Sequence, residues 1–164
     1  RRVVHSLAVP TGSGWVFELQ FSPDGQVLAA CLGTVVRLWS TSTGHVLHTF
    51  TDNKTFTSNS IAFSPDSSVV VALTQCHDVA TGALLASFDT KFFHALSFHP
   101  RAQLLGGTLP NHPGTQLWNT RTWEPAGLLE ASASYSLAFS PDGRFIATAH
   151  EDGVVRLWVT PELV

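Results

Sequence analysis

This sequence has little charge. Charged residues make up 13% of its 164 positions, against a usual ~25%. Its basic residues never cluster beyond the pair Arg1-Arg2, and the net charge is −3. A basic stripe for nucleic acid is therefore missing. Cysteine is scarce as well. Cys31 and Cys76 show neither metal-ligand spacing nor a disulfide framework, which fits a reducing, intracellular setting, cytoplasmic or nuclear. No apolar run approaches the ~18 residues of a membrane span, and no signal peptide heads the chain, so no membrane partner is expected. Methionine is absent and the first residue is Arg1, which suggests a piece of something longer.

Signatures of chemistry are missing too. Among eight histidines, His45 and His48 stand three apart on a predicted strand and so point to opposite faces. The end of a strand separates His94 from His99, and His77 diverges from its neighbour Cys76. Zinc needs three or four converging ligands, so no metal site is expected, and no cofactor. The serines sit in turns. Neither a Gly-x-Ser-x-Gly elbow nor a phosphate-cradling glycine loop appears. No catalytic residue is assigned, and a hydrolase-like enzyme is the remote alternative.

What the sequence does have is repetition. Phe21-Ser22-Pro23-Asp24-Gly25 leads to Arg37-Leu38-Trp39, and Phe139-Ser140-Pro141-Asp142-Gly143 leads to Arg156-Leu157-Trp158. Weaker echoes are Phe63-Ser64-Pro65-Asp66, leading to Cys76-His77-Asp78, and Phe98-His99-Pro100, leading to Leu117-Trp118-Asn119. The leading phenylalanines step by 42, 35 and 41 residues, and the Trp-slot residues Trp39, His77, Trp118 and Trp158 by 38, 41 and 40. A period near ~40–45 residues with a Trp signature is that of a four-stranded propeller blade. On these residues the chain resembles the WD-repeat (WD40-type) β-propeller family over nearly its whole length. The resemblance implies an all-β fold of about four antiparallel blades, either a small ring or part of a larger one.

Taken in order, residues 1–9 read as an outer strand of a preceding or closing blade. Val3-Val4-His5-Ser6-Leu7 aligns with Val46-Leu47-His48-Thr49-Phe50 and Leu84-Leu85-Ala86-Ser87-Phe88. Residues 10–50 form the first blade, whose opening strand puts Trp15, Phe17, Leu19 and Phe21 on one face, toward the core. Its Ser-Pro-Asp-Gly turn follows from preset proline φ, an Asp that bonds nearby backbone and a glycine at positive φ. Residues 51–88 form a degenerate second blade, expected to be three-stranded or irregular because the short step leaves almost no room for its third strand. Residues 89–130 form the third, with a projecting loop at residues 108–114 and Pro125 in its outer strand. Residues 131–164 form the fourth, which lacks an outer strand.

The resemblance also implies a hydrogen-bond set within each blade, since a buried indole N–H needs an acceptor. Thr148, Asp152 and Trp158 match three of its four slots. The histidine slots hold Gly12, Lys54, Asp89 and Glu130, so no blade has the full set. Aromatics near the entry of each first strand, Trp15, Phe56, Phe92 with Phe93, and Tyr135, form the candidate partner-binding rim; inter-blade packing is their alternative role. The implied function is a scaffold for other proteins within a larger protein or complex. The alternative is a set of purely structural blades completing a larger propeller. The partners are other proteins, with the remaining blades of a parent chain or a second copy as further candidates.

Overall fold

The computed structural model describes residues 2–9, 16–51, 60–101, 103–110 and 112–161. Among them every regular element is a strand. The first sheet contains β1 (Glu18–Phe21), β2 (Val27–Cys31), β3 (Val35–Ser40) and β4 (Val46–Thr51), in that order. The second contains β5 (Ile61–Phe63), β6 (Val69–Ala72), β7 (Gln75–Asp78) and β8 (Leu84–Ser87). The third has six strands: β9 (Ala95–Phe98), β10 (Leu104–Thr108), β11 (Pro113–Asn119), β12 (Pro125–Phe139), β13 (Phe145–His150) and β14 (Val155–Val159). Strand β12 joins two blades, because its first half pairs with β11 and its second half with β13. Pro125 is tolerated there as the first residue of the strand.

One rung recurs in all four blades. Phe21 pairs with Leu28 and Leu28 with Trp39. The counterparts are Phe63–Val70–His77, Phe98–Leu105–Trp118 and Phe139–Ile146–Trp158. In the first three blades the register shifts immediately before the Trp-slot residue, between Leu38 and Trp39, Cys76 and His77, and Leu117 and Trp118. A β-bulge bends and twists its strand, so one bend at one place in each sheet gives three alike blades. The opening strands β1, β5, β9 and β12 follow one another in contact. Across the first of these contacts Glu18 Oε2 accepts from Ile61 N (3.0 Å), and Gln20 Oε1 from Phe63 N (3.2 Å).

Three expectations are corrected here. The second blade keeps its third strand, β7, paired over four rungs from Val69–Asp78 to Ala72–Gln75. The first blade pairs five, from Val27–Ser40 to Cys31–Val36, and continues through Leu32 N to Val35 O. Four of the seven missing residues are thus taken from the hairpin end, two from each side, and the tip closes on Leu73 (φ 57°) and Thr74. Shortening a hairpin this way preserves the pairing of what remains. Phe21, expected toward the core, is 61% exposed, whereas Phe63 is 6% exposed, because no described sheet precedes β1. Residues 2–9 form no strand, although they run across the first blade.

Candidate binding rim

The Ser-Pro-Asp turns are built alike. Ser22 Oγ donates to Asp24 Oδ1 (2.5 Å) and accepts from Val27 N (2.9 Å). Ser64, Asp66 and Val69 repeat this arrangement, as do Ser140, Asp142 and Phe145. The serine hydroxyl, followed by backbone N–H groups, holds each carboxyl below the usual range. In the third blade His99 takes the serine's place. Its Nδ1 accepts from Arg101 N (3.0 Å), so Nε2 carries the hydrogen and donates to Gly143 O (2.9 Å) of the fourth blade's turn.

Neighbouring blades are locked by their outer strands. Phe50 stacks on His77 with ring centroids 3.8 Å apart, and Phe88 meets Trp118 edge-on at 5.2 Å. Leu7 packs in one cluster with Trp39, and Leu129 in one with Trp158. A second contact accompanies the first. His5 Nε2 bonds Ser42 O (3.3 Å) beside Gly44, and His48 Nε2 bonds Val79 O (3.1 Å) beside Gly82. At the next junction the small Ala86 leaves room for Trp123, which takes the glycine's positive φ (62°).

The fourth blade's hydrogen bonds run in one direction. Trp158 Nε1 donates to Thr148 Oγ1 (2.7 Å). Because Ser132 O can only accept, His150 Nδ1 donates to it (2.8 Å), which leaves Nε2 to accept from Thr148 Oγ1 (2.7 Å). Asp152 sits outside this set. Its carboxylate is bound by both guanidinium nitrogens of Arg156, at 2.6 and 3.1 Å, a charge-assisted fork that outweighs a neutral partner and drives its pKa far down. His150 was not singled out in the sequence. The available signal was its place two residues after Thr148, on the same face of the strand.

The rim candidates separate. Trp15 and Phe56 lie outside the described residues. Phe93 is corrected to a core residue: it is 1% exposed and edge-on to Phe88 (5.4 Å) and Trp118 (5.7 Å). Phe92 and Tyr135 come together around His94. Phe92 meets its ring edge-on at 5.0 Å and Tyr135 at 5.3 Å. All three line an open cleft of about 670 Å³ with Lys91, His112 and Glu151, at the junction of the third and fourth blades. Burial lowers the His94 pKa, favouring the neutral ring, and Tyr135 is 53% exposed. The cleft thus presents aromatic surface with Lys91 and Glu151 in its lining. Among the described residues no three His, Cys, Asp or Glu side chains are grouped to hold a metal ion. No described helix is long and apolar enough to cross a membrane.

Comparisons with known proteins agree with this geometry. The family model "WD domain, G-beta repeat" matches residues 2–40 and 123–159. Telomerase protein component 1 of Mus musculus is 28% identical over 159 residues, covering 90% of this chain and 5% of that protein. The Rattus norvegicus protein of the same name is 31% identical, with the same coverage. The chain therefore spans a small part of the curated relatives it matches. Among solved structures, a chain in the crystal structure of the mitotic checkpoint complex superposes with a TM-score of 0.77 at 21% identity. That match covers 97% of this chain and 52% of the other.

Proposed function

The chain is a member of the WD-repeat β-propeller family, and from that premise we propose that it is a protein-interaction scaffold within a larger assembly, with the Phe92–His94–Tyr135 cleft as its contact point. WD-repeat proteins generally serve as interaction platforms. The observation that carries the reading here is the cluster of three edge-on rings lining an open cleft between two blades. Aromatic anchors in partly desolvated pockets supply a disproportionate share of binding energy, and rings held edge-on to each other lose little freedom when a partner arrives. The relatives' name, a protein component of telomerase, supports placing the chain in a multi-component assembly inside the cell. No bond is made or broken in this reading.

The test is a photo-crosslinking amino acid at Tyr135, compared with one at exposed Leu47 on an outer strand, in the native assembly. Partner adducts are expected at Tyr135 and not at Leu47, and they should weaken when Phe92→Ala removes one wall. Equal labelling from both positions, or labelling indifferent to Phe92→Ala, would remove the cleft from the contact.

A further inference from the structure

We infer that the third blade carries a second contact site, a cleft against the second blade that takes an acidic peptide segment of a partner protein. The cleft lies at the opposite ends of the strands from the Phe92–His94–Tyr135 cleft, and the inference stands apart from that reading. Three turns form it: β5–β6 of the second blade, with β9–β10 and β11–β12 of the third. Its volume is about 320 Å³, and Arg101, Arg121, Trp123, Phe98 and Pro65 are among its lining residues.

The third blade departs from the others at this cleft. Arg101 follows the turn proline, where the other blades have Asp24, Asp66 and Asp142. His99 replaces the serine from which such an Asp accepts, which frees position 101, but that freedom does not call for a cation. Arg121 stands in the β11–β12 turn where the first two blades have Ser42 and Ala80. Both arginines are exposed, so neither is packed into the fold. Trp123 stands where those blades have Gly44 and Gly82, at a positive φ of 62°. A bulky side chain in that conformation is an outlier. The Trp123 ring meets Phe88 edge-on at 6.3 Å, and the residue also lines the cleft. Three departures from the repeat thus converge on one place.

The charges in the cleft do not satisfy one another. Arg121 Nε donates to Gln103 Oε1 (2.9 Å). That bond orients the guanidinium and leaves its outer nitrogens without an acceptor among the described residues. The Arg101 guanidinium makes no hydrogen bond or ion pair among the described residues. By contrast, Arg156 is paired with Asp152 and Arg144 lies over the Phe145 ring. The carboxylate in the lining, Asp66, is already engaged. Its Oδ1 accepts from Ser64 Oγ (2.6 Å), Ser68 Oγ (2.8 Å) and Ser68 N (3.1 Å).

Two guanidinium groups therefore share the cleft with one engaged carboxylate, in a chain whose net charge is −3. Guanidinium forks bind carboxylates through paired N–H groups. Trp123, Phe98 and Pro65 supply apolar surface beside them. The cations stand on separate turns, so the positive charge is spread. That suits successive carboxylates of an extended segment better than one compact phosphate.

The experiment is zero-length coupling in the native assembly, with the full-length protein carrying Arg121→Lys. This substitution keeps the charge and supplies an amine, which a carbodiimide joins to a touching carboxylate with loss of water. Adducts between residue 121 and an Asp or Glu of another protein are expected, and none from Leu47→Lys on an outer strand. Arg101→Gln should reduce their recovery severalfold. Asp66→Asn should raise it, because the amide oxygen still accepts the serine bonds while the opposing charge is gone. Such a gain does not come from a damaged fold. No adduct at residue 121, equal adducts from residue 47, or coupling only within the same chain would each overturn the inference. So would recovery indifferent to both charge changes, or adducts formed only with phosphorylated side chains.

Discussion

Phe50 lies stacked on His77 at 3.8 Å and 14°, with the histidine in the slot that holds tryptophan in the other three blades. The contact shows how a propeller blade tolerates such a replacement. The flat ring of the neighbouring outer strand still finds a flat ring beneath it, and imidazole Nδ1 donates to Gly82 O (3.3 Å), which leaves Nε2 to accept from the Gln75 side-chain amide (3.1 Å).

The same contact gives the protein a titration. Burial lowers the His77 pKa, the Gly82 carbonyl partly restores it, and nearby His48 lowers it again. Since the folded value lies below the unfolded one, the contribution to stability is complete above about pH 6.5. It is lost as pH falls toward the folded pKa. His94 acts in the same direction. Denaturant unfolding between pH 7.5 and 5 should show falling stability, and His77→Gln should flatten part of the slope. A slope unchanged by that substitution would contradict the assignment.

Trp158→Phe keeps an aromatic ring but loses part of the indole's packing and the N–H that Thr148 accepts. The expected loss is at least about 1 kcal/mol, the net worth of one hydrogen bond. Thr148→Val should cost more than that one bond, because it also leaves His150 Nε2 buried without its donor. Chemical denaturation of both variants checks the two losses.

Gly25 and Gly143 occupy the same turn position at φ 73° and 76°. A Cβ at Gly25 would meet nothing within 4 Å, whereas at Gly143 it would fall 2.5 Å from the His99 ring. Gly25→Ala should therefore cost only the left-handed backbone penalty of roughly 1–2 kcal/mol. Gly143→Ala should cost more, with part recovered in combination with His99→Ala. Equal losses would mean that the two turns have equivalent surroundings.

Both thiols should be inert in the folded chain. Burial pushes Cys76 up to about 12 and Cys31 to about 11, so thiolate is scarce at neutral pH. Alkylation should track global unfolding. Rapid labelling under native conditions would place either cysteine outside the core.

Much of this was legible from local chemistry. The Phe-Ser-Pro-Asp-Gly phrase specifies a turn by itself, and Trp39, Trp118 and Trp158 mark the third strand of their sheets. Other features depended on neighbours that a sequence does not display. Phe21 has the same pattern as Phe63 but has no described sheet in front of it. Phe92 and Phe93 are adjacent letters in the segment before β9, and only the neighbours they meet, Phe88 and Trp118 for Phe93 and His94 in the cleft for Phe92, tell them apart. The second blade looked as if it lacked a strand, because a short interval does not say whether a whole strand or the end of a hairpin was removed. Asp152 fits its slot in the pattern, but Arg156, four residues on, takes its carboxylate.

The central claim is that four unequal sequence copies make one repeated rung, Phe to aliphatic to Trp-slot residue. It is tested most directly in the weakest copy, by cross-strand nuclear Overhauser contacts in the second blade. Contacts joining Phe63 to Val70 and Val70 to His77, in the register of Phe139, Ile146 and Trp158, are the predicted result. Their absence, with His77 next to no partner strand, would contradict the account.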